Sequence, residues 1–172
     1  TVTAWGVNVY DEATPPANLS EVVSVAAGAT HSLALKRDGS LVGWGDTTFG
    51  SCKAPYGLAD IAAIAAGYRF SAALKKDGTV QVWGDSSTKQ TTIPSGIVDA
   101  VSIKAGFGHV VVLLKDGSVK AWGDNASGQA SVPANLPKAV QIAAGGGHTL
   151  ALLADSTVVG WGDNGAGQTV VP

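Results

Sequence analysis

Three histidines, His31, His109 and His148, share one position of a repeating pattern whose step is 39 residues. An imidazole titrates near neutrality, so a column of them beside hydroxyl and carboxylate residues could supply a general base, the activator of a nucleophile, or a metal ligand set. Hydroxyls are present, since Ser32, Ser71 and Thr149 follow the column directly in sequence. Alternation along a strand sends adjacent side chains to opposite faces of a sheet, so no Ser/His/Asp set assembles within one strand. In the second copy Phe70 takes the histidine position. Phenylalanine packs but neither ligates nor accepts a proton, so the column predicts packing plus a local hydrogen bond. Asp46, Asp85, Asp124 and Asp163 form a second column, expected to cap tight turns by accepting backbone N–H bonds and able to contribute to an acidic binding face. The Asp-Asn-x-x-Gly spacing at 124–128 and 163–167 lacks the alternating ligands of a calcium loop. The glycine runs at 106–108 and 145–147 lack the helix N-terminus that cradles phosphate. No catalytic residue, metal, cofactor or small-molecule substrate is expected.

These columns belong to a tandem repeat. Trp-Gly occurs at Trp5, Trp44, Trp83, Trp122 and Trp161, every tryptophan of the chain, and Gly28, Gly67, Gly106 and Gly145 keep the same step. A fixed period of this length means one supersecondary unit copied several times. Each unit has four segments, here named A to D from axis to rim. A is apolar and small (22–28 and its equivalents), and B alternates with period 2 (31–35). An Asp-Gly turn at Asp38-Gly39, Asp77-Gly78 and Asp116-Gly117, replaced by Asp155-Ser156 in the last copy, leads into C, which ends in Trp-Gly. D ends in proline at Pro16, Pro55, Pro94, Pro133 and Pro172, which suits an outer edge strand. Four short antiparallel strands in about 40 residues, with no helical periodicity, predict an all-β chain of four-stranded propeller blades. The tryptophan and histidine columns are expected to be structural.

Length and composition agree. A chain of 172 residues, 45% apolar and 14% charged with 23 glycines, suits one turn-rich β domain over residues 1–172. A net charge of −2 with scattered ions gives no footprint for nucleic acid or for a membrane surface, and no apolar run is long enough to span a bilayer. The single Cys52 excludes an intramolecular disulfide. A start at Thr1 and the absence of methionine favour a processed, secreted chain.

The motifs A-A-G-x-x-H-S-L-A-L (Ala26 to Leu35), D-G-x-V-x-x-W-G (Asp116 to Gly123) and W-G-D-N-x-x-G-Q (Trp122 to Gln129) resemble the regulator-of-chromosome-condensation repeat family over the whole chain. The resemblance implies a β-propeller, usually of seven blades. The insertion-free 39-residue repeat is most similar to the propeller-type bacterial β-lactamase inhibitory proteins, whose A-B and C-D turns form an aromatic and acidic enzyme-binding face. The nucleotide-releasing wedge of the Ran exchange factors in this family has no counterpart in the sequence.

Residues 1–16 supply only C and D, and the remainder supplies four whole units, so both ends carry C-D. Three arrangements stay open: part of a larger propeller, a small ring with a spare N-terminal hairpin, or an oligomer whose chains complete one another. Because strands alternate in direction, the A-B and C-D turns emerge on one face. That face collects the residues that vary between copies. Tyr10, Phe49, Tyr68, Arg69 and Phe107 are its candidate anchors for a protein partner, an enzyme such as a β-lactamase among them. A self-assembling structural scaffold is the alternative function, and a Ran-type exchange factor is a third.

Overall fold

The computed structural model describes residues 1–171, so Pro172 lies outside the described residues. Among the described residues twelve strands fall into four antiparallel sheets. Blade 1 is β1 (Val22–Ala27), β2 (His31–Lys36) and β3 (Leu41–Gly45). Blade 2 is β4 (Ile61–Ala66), β5 (Phe70–Lys75) and β6 (Val80–Gly84). Blade 3 is β7 (Ala100–Ala105), β8 (His109–Leu114) and β9 (Val119–Gly123), and blade 4 is β10 (Ala139–Ala144), β11 (His148–Leu153) and β12 (Val158–Gly162). Each sheet runs in sequence order, and the A strands of successive blades lie side by side along the axis. These are propeller blades. They do not close a ring.

The β2–β3 turn and its equivalents need one residue in the left-handed region. Gly39 (φ 84°), Gly78 (79°) and Gly117 (87°) supply it, and Ser156 (70°) adopts the same conformation in the last copy. The preceding aspartate locks the turn, as where Asp38 Oδ1 accepts the N–H (2.9 Å) and the hydroxyl (2.6 Å) of Ser40.

Among the described residues the blades have three strands, and the expected fourth is absent. Residues 46–58 and their equivalents run as consecutive turns, closed by bonds such as Gly50 N–H to Thr47 O (3.1 Å) and Lys53 N–H to Gly50 O (3.1 Å). A left-handed residue in each copy, Gly50, Lys89, Gly128 or Gly167, curls the segment away from the extended form that a ladder needs. The N-terminal hairpin also requires correction. Residues 1–20 contain no strand, because the C-like residues 2–5 have no B strand to pair with. Trp5, expected among the packing tryptophans, is 87% exposed for the same reason.

The core lies between blades. One cluster joins Leu33 and Leu35 of blade 1 to Ile64, Ala73 and Trp83 of blade 2. A second joins Phe70, Ala72 and Leu74 to Ile103, Val110, Val112 and Trp122, and a third joins Val111 and Leu113 to Ile142, Ala151 and Trp161. Alternation along each B strand builds both faces, with the first, third and fifth residues meeting the next blade and the second and fourth the previous one. Each buried Leu, Ile or Val contributes about 1.5–3 kcal/mol.

Candidate functional site

On the turn face, every C-D turn is tied to the A-B turn of its own blade. The N–H groups of Asp46, Asp85, Asp124 and Asp163 donate to Thr30 O (2.8 Å), Arg69 O (2.9 Å), Gly108 O (2.8 Å) and Gly147 O (2.8 Å). The carboxylates then close their own turns. Oδ1 of Asp46 accepts from Thr48 N–H (2.8 Å), Asp85 from Ser87 (3.0 Å), Asp124 from Ala126 (3.0 Å) and Asp163 from Gly165 (2.9 Å). Asp46 is buried and the other three half-buried. Its carboxyl titrates below the ordinary value, held there first by the side chain and N–H of Thr48 and then by the Arg69 charge.

Four of the five candidate anchors form one row. The Arg69 guanidinium lies 4.6 Å from the centroid of the Phe49 ring and 4.7 Å from that of Tyr68. Tyr68 and Phe107 meet at 5.9 Å with a tilt of 48°. Phe107 in turn covers the Gly146 backbone, where a Cβ would sit 3.5 Å from its ring. The row thus crosses turns of blades 1, 2, 3 and 4 while Phe49, Tyr68 and Phe107 stay 36%, 40% and 64% exposed. The cation between two rings immobilises them, and each such contact is worth about 0.5–2 kcal/mol. The Nε–H of Arg69 is buried and has no acceptor among the described residues. Tyr10 stands outside the row. It is 47% exposed, but the A-B turn in its repeat register is Ala29-Thr30, which offers no arginine to stack on.

The histidine column sits below this face and is enclosed. His31 Nε2 lies 2.8 Å from Ser71 Oγ on the next blade, and His109 Nε2 lies 3.0 Å from Thr149 Oγ1. Alternation hides these pairs within a single strand, and docking of blades brings them together. A Ser–His contact is the geometry that activates a nucleophile, but here the proton points the other way. Ser71 Oγ donates to Ser51 O (2.9 Å) and Thr149 Oγ1 to Gln129 O (2.9 Å), so each hydroxyl must accept from Nε2–H. Neither imidazole can take the hydroxyl proton. Both pairs are wholly buried, and desolvation lowers His31 and His109 to about 4. The Gly28 column follows from the rings, because a Cβ on Gly28 would stand 2.6 Å from the His31 ring. Among the described residues no group of three or more His, Cys, Asp or Glu side chains is placed to hold a metal ion.

Four tryptophans complete the support. Trp44, Trp83, Trp122 and Trp161 donate Nε1–H to the carbonyls of Glu12, Ser51, Gln90 and Gln129 at 2.9–3.0 Å, pinning the D segment that precedes each blade. Glutamine side chains brace the same segments, with Gln90, Gln129 and Gln168 Oε1 accepting from Thr88, Ser127 and Ala166 N–H. The recurring Gln of W-G-D-N-x-x-G-Q is the sequence signal for that role. The opposite face carries ions, including Lys36–Asp38 at 3.4 Å and Lys75–Asp77 at 3.2 Å.

Residues 22–51, 61–90, 100–129 and 139–168 match the regulator of chromosome condensation (RCC1) repeat. Among solved structures the chain is similar to Prp20p of Saccharomyces cerevisiae, with 22% identity and a TM-score of 0.75 over 85% of this chain and 47% of that one. That structure is described with its binding properties to Gsp1p and histones. The ectodomain of the Physcomitrella patens receptor kinase CR4 gives 26% identity and a TM-score of 0.77 over 92% and 45%. The CRINKLY ectodomain of the Arabidopsis thaliana receptor kinase ACR4 gives 26% and 0.74 over 92% and 62%. The chain therefore spans between 45% and 62% of these proteins. No curated protein matches the sequence.

Proposed function

From the premise that this chain belongs to the regulator of chromosome condensation (RCC1) repeat family, shown by its four matching repeats, we propose that it is a non-enzymatic protein-binding propeller that engages its partner through the A-B/C-D turn face. The observation that carries this reading is the row Phe49–Arg69–Tyr68–Phe107, exposed yet held rigid by cation–π and aromatic contacts. Aromatic and arginine anchors that lose little freedom on binding dominate protein interfaces, and turns on a stiff scaffold are where such anchors are carried. Asp85, Asp124 and Asp163 add a half-buried acidic fringe, suited to a partner with basic residues around an apolar centre, while Asp46 is buried beneath it. A secreted enzyme such as a β-lactamase is the first partner class to try.

Calorimetry against a panel of secreted hydrolases, β-lactamases first, tests this. With a partner in hand, Tyr68→Ala, Arg69→Ala or Phe107→Ala should each weaken binding about 30-fold, or about 2 kcal/mol, with the fold intact. Lys76→Ala on the opposite face should change nothing. A partner indifferent to all three row substitutions but sensitive to Lys76→Ala sinks the assignment.

A further inference from the structure

Asparagine follows the aspartate column in the C-D turn of blade 4, and glycine follows the asparagine, giving Asp163-Asn164-Gly165. The same turn position holds Asn8 before Val9 and Asn125 before Ala126, with Thr47 and Ser86 in the other copies. All three asparagines make one recurrent bond. Their Oδ1 accepts a backbone N–H from further along the turn: Ala13 for Asn8 (2.7 Å), Ala130 for Asn125 (2.9 Å) and Thr169 for Asn164 (3.0 Å). The next residue is held as well, in two copies. Ala126 N–H donates to Asp124 Oδ1 (3.0 Å) and Gly165 N–H to Asp163 Oδ1 (2.9 Å), whereas Val7 stands before Asn8 and offers no carboxylate. Gln168 Nε2–H donates to Asp163 Oδ2 (2.9 Å) and so keeps Oδ1 aimed at the Gly165 nitrogen.

We propose that Asn164 is a self-modification site, deamidated by its own turn. The Gly165 nitrogen is the nucleophile, the Asp163 carboxylate the base, and Thr169 N–H the donor that stabilises negative charge on Asn164 Oδ1. Nucleophile and carbonyl carbon belong to neighbouring residues, so no approach step is needed. The Gly165 nitrogen attacks Cγ and gives its proton to Asp163 Oδ1 as the N–Cγ bond forms. When the oxyanion collapses, the Cγ–Nδ2 bond breaks and the proton on Asp163 leaves with Nδ2 as ammonia, which restores the carboxylate and closes a succinimide. Water then opens the ring at Cγ, giving aspartate, or at the backbone carbonyl, giving isoaspartate. Its hydroxyl enters the new carboxyl group and its other proton returns to the glycine nitrogen.

Glycine singles out this copy. A Cβ on the residue that supplies the nitrogen crowds the attack, so Ala126 slows the step at Asn125 although base and oxyanion donor are both in place there. Asn8 is slower still, because Val9 is branched at Cβ and no carboxylate faces its nitrogen. Access for water does not separate the sites. Asn125 is exposed like Asn164 although its turn has a blade on either side, so exposure belongs to the turn itself. Either product replaces a neutral amide with a carboxylate beside Asp163, and the turn face gains one negative charge. Isoaspartate also inserts a methylene into the backbone of a turn that is closed by Gly167 N–H to Asn164 O (3.1 Å).

The test is a time course of the folded 172-residue chain at neutral pH in water labelled with heavy oxygen, followed by mass spectrometry of its peptides. Labelled acid should accumulate at position 164, as aspartate and isoaspartate resolved by chromatography, ahead of position 125 and further ahead of position 8. Gly165→Ala reproduces the turn of Asn125, and the added Cβ would stand 3.4 Å from Asp163 Oδ1, an ordinary contact. That variant should keep the wild-type β circular dichroism and convert at 164 only as fast as at 125. Asp163→Ser keeps a turn-capping oxygen but removes the base, and should slow conversion about 100-fold. In urea the turn is lost while the dipeptide remains, so conversion there should be slower than in the folded chain. If Asp163→Ser loses its β signal, the comparison in urea takes its place. Absence of acid at 164, acid formed without the label, equal rates at 164 and 125, a folded Asp163→Ser chain as fast as wild type, or a rate in urea matching that of the folded chain would each overturn the proposal.

Discussion

At the scale of the residue, burial and proton direction turn a reactive-looking contact into a structural one. His31 and His109 are neutral because desolvation lowers them to about 4, with the carboxylates of Asp46 and Asp124 opposing the shift only in part. The unfolded chain takes up these two protons near pH 6.5, the folded chain only near 4. Below 6.5 the unfolded state therefore binds more protons. The stabilising contribution is complete above about pH 6.5 and disappears as the pH falls toward 4, by up to about 3 kcal/mol for each histidine. Asp38 and Asp77, lowered to about 2 chiefly by the hydroxyls of Ser40 and Thr79, respond only at lower pH, which leaves the interval from 6.5 to 4.5 to the imidazoles. Urea midpoints should fall steadily across that interval. Midpoints that stay level would show that the folded protein already carries the protons.

At the scale of the element, the D segment is a staple, and its carbonyls decide which side chains the next blade can use. Gln129 O accepts both Trp161 Nε1–H and Thr149 Oγ1–H, so the hydroxyl spends its proton there and takes one from His109. Between blades 2 and 3 the same place holds Phe70 against Val110, both at 0% exposure, and Gln90 O keeps only Trp122. The chain thus contains a polar and an apolar solution to one packing problem. Thr149→Val alone should cost about 1–3 kcal/mol by stranding the buried Nε2–H of His109. Adding His109→Phe should restore most of that loss, because it recreates the apolar pair. Chemical denaturation of the two single variants and the double variant measures the coupling, and additive losses would mean that the imidazole bond contributes nothing.

Across the whole molecule, stability is organised in one dimension. Every apolar cluster spans neighbouring blades, so each blade depends on those beside it, as in other repeat arrays. Blades 2 and 3 are sandwiched, while blade 4 leaves its forward side chains half-buried. Amide exchange should therefore be slowest in β5 and β8 and faster in β11, although the three strands have the same hydrogen-bond register. Equal protection in all three would show that the four blades open as one unit.

The sequence alone determined the repeat, the all-β blade and the face on which the variable residues gather, because period, strand alternation and turn chemistry are local properties. It also placed Phe49, Tyr68, Arg69 and Phe107 on that face, since strand direction fixes which turns emerge together. Three matters waited for the tertiary structure. The D segment reads as an edge strand until its left-handed residues curl it into turns, and Trp5 matches four buried tryptophans until the absence of a B strand beside it leaves the indole in water. The histidine–hydroxyl pairs join residues 40 apart on different blades, where alternation within one strand argues against any meeting. The row of anchors has the same origin. Phe49 and Arg69 are separated in sequence, and only the rotation of one blade onto the next stacks the guanidinium between rings drawn from different repeats.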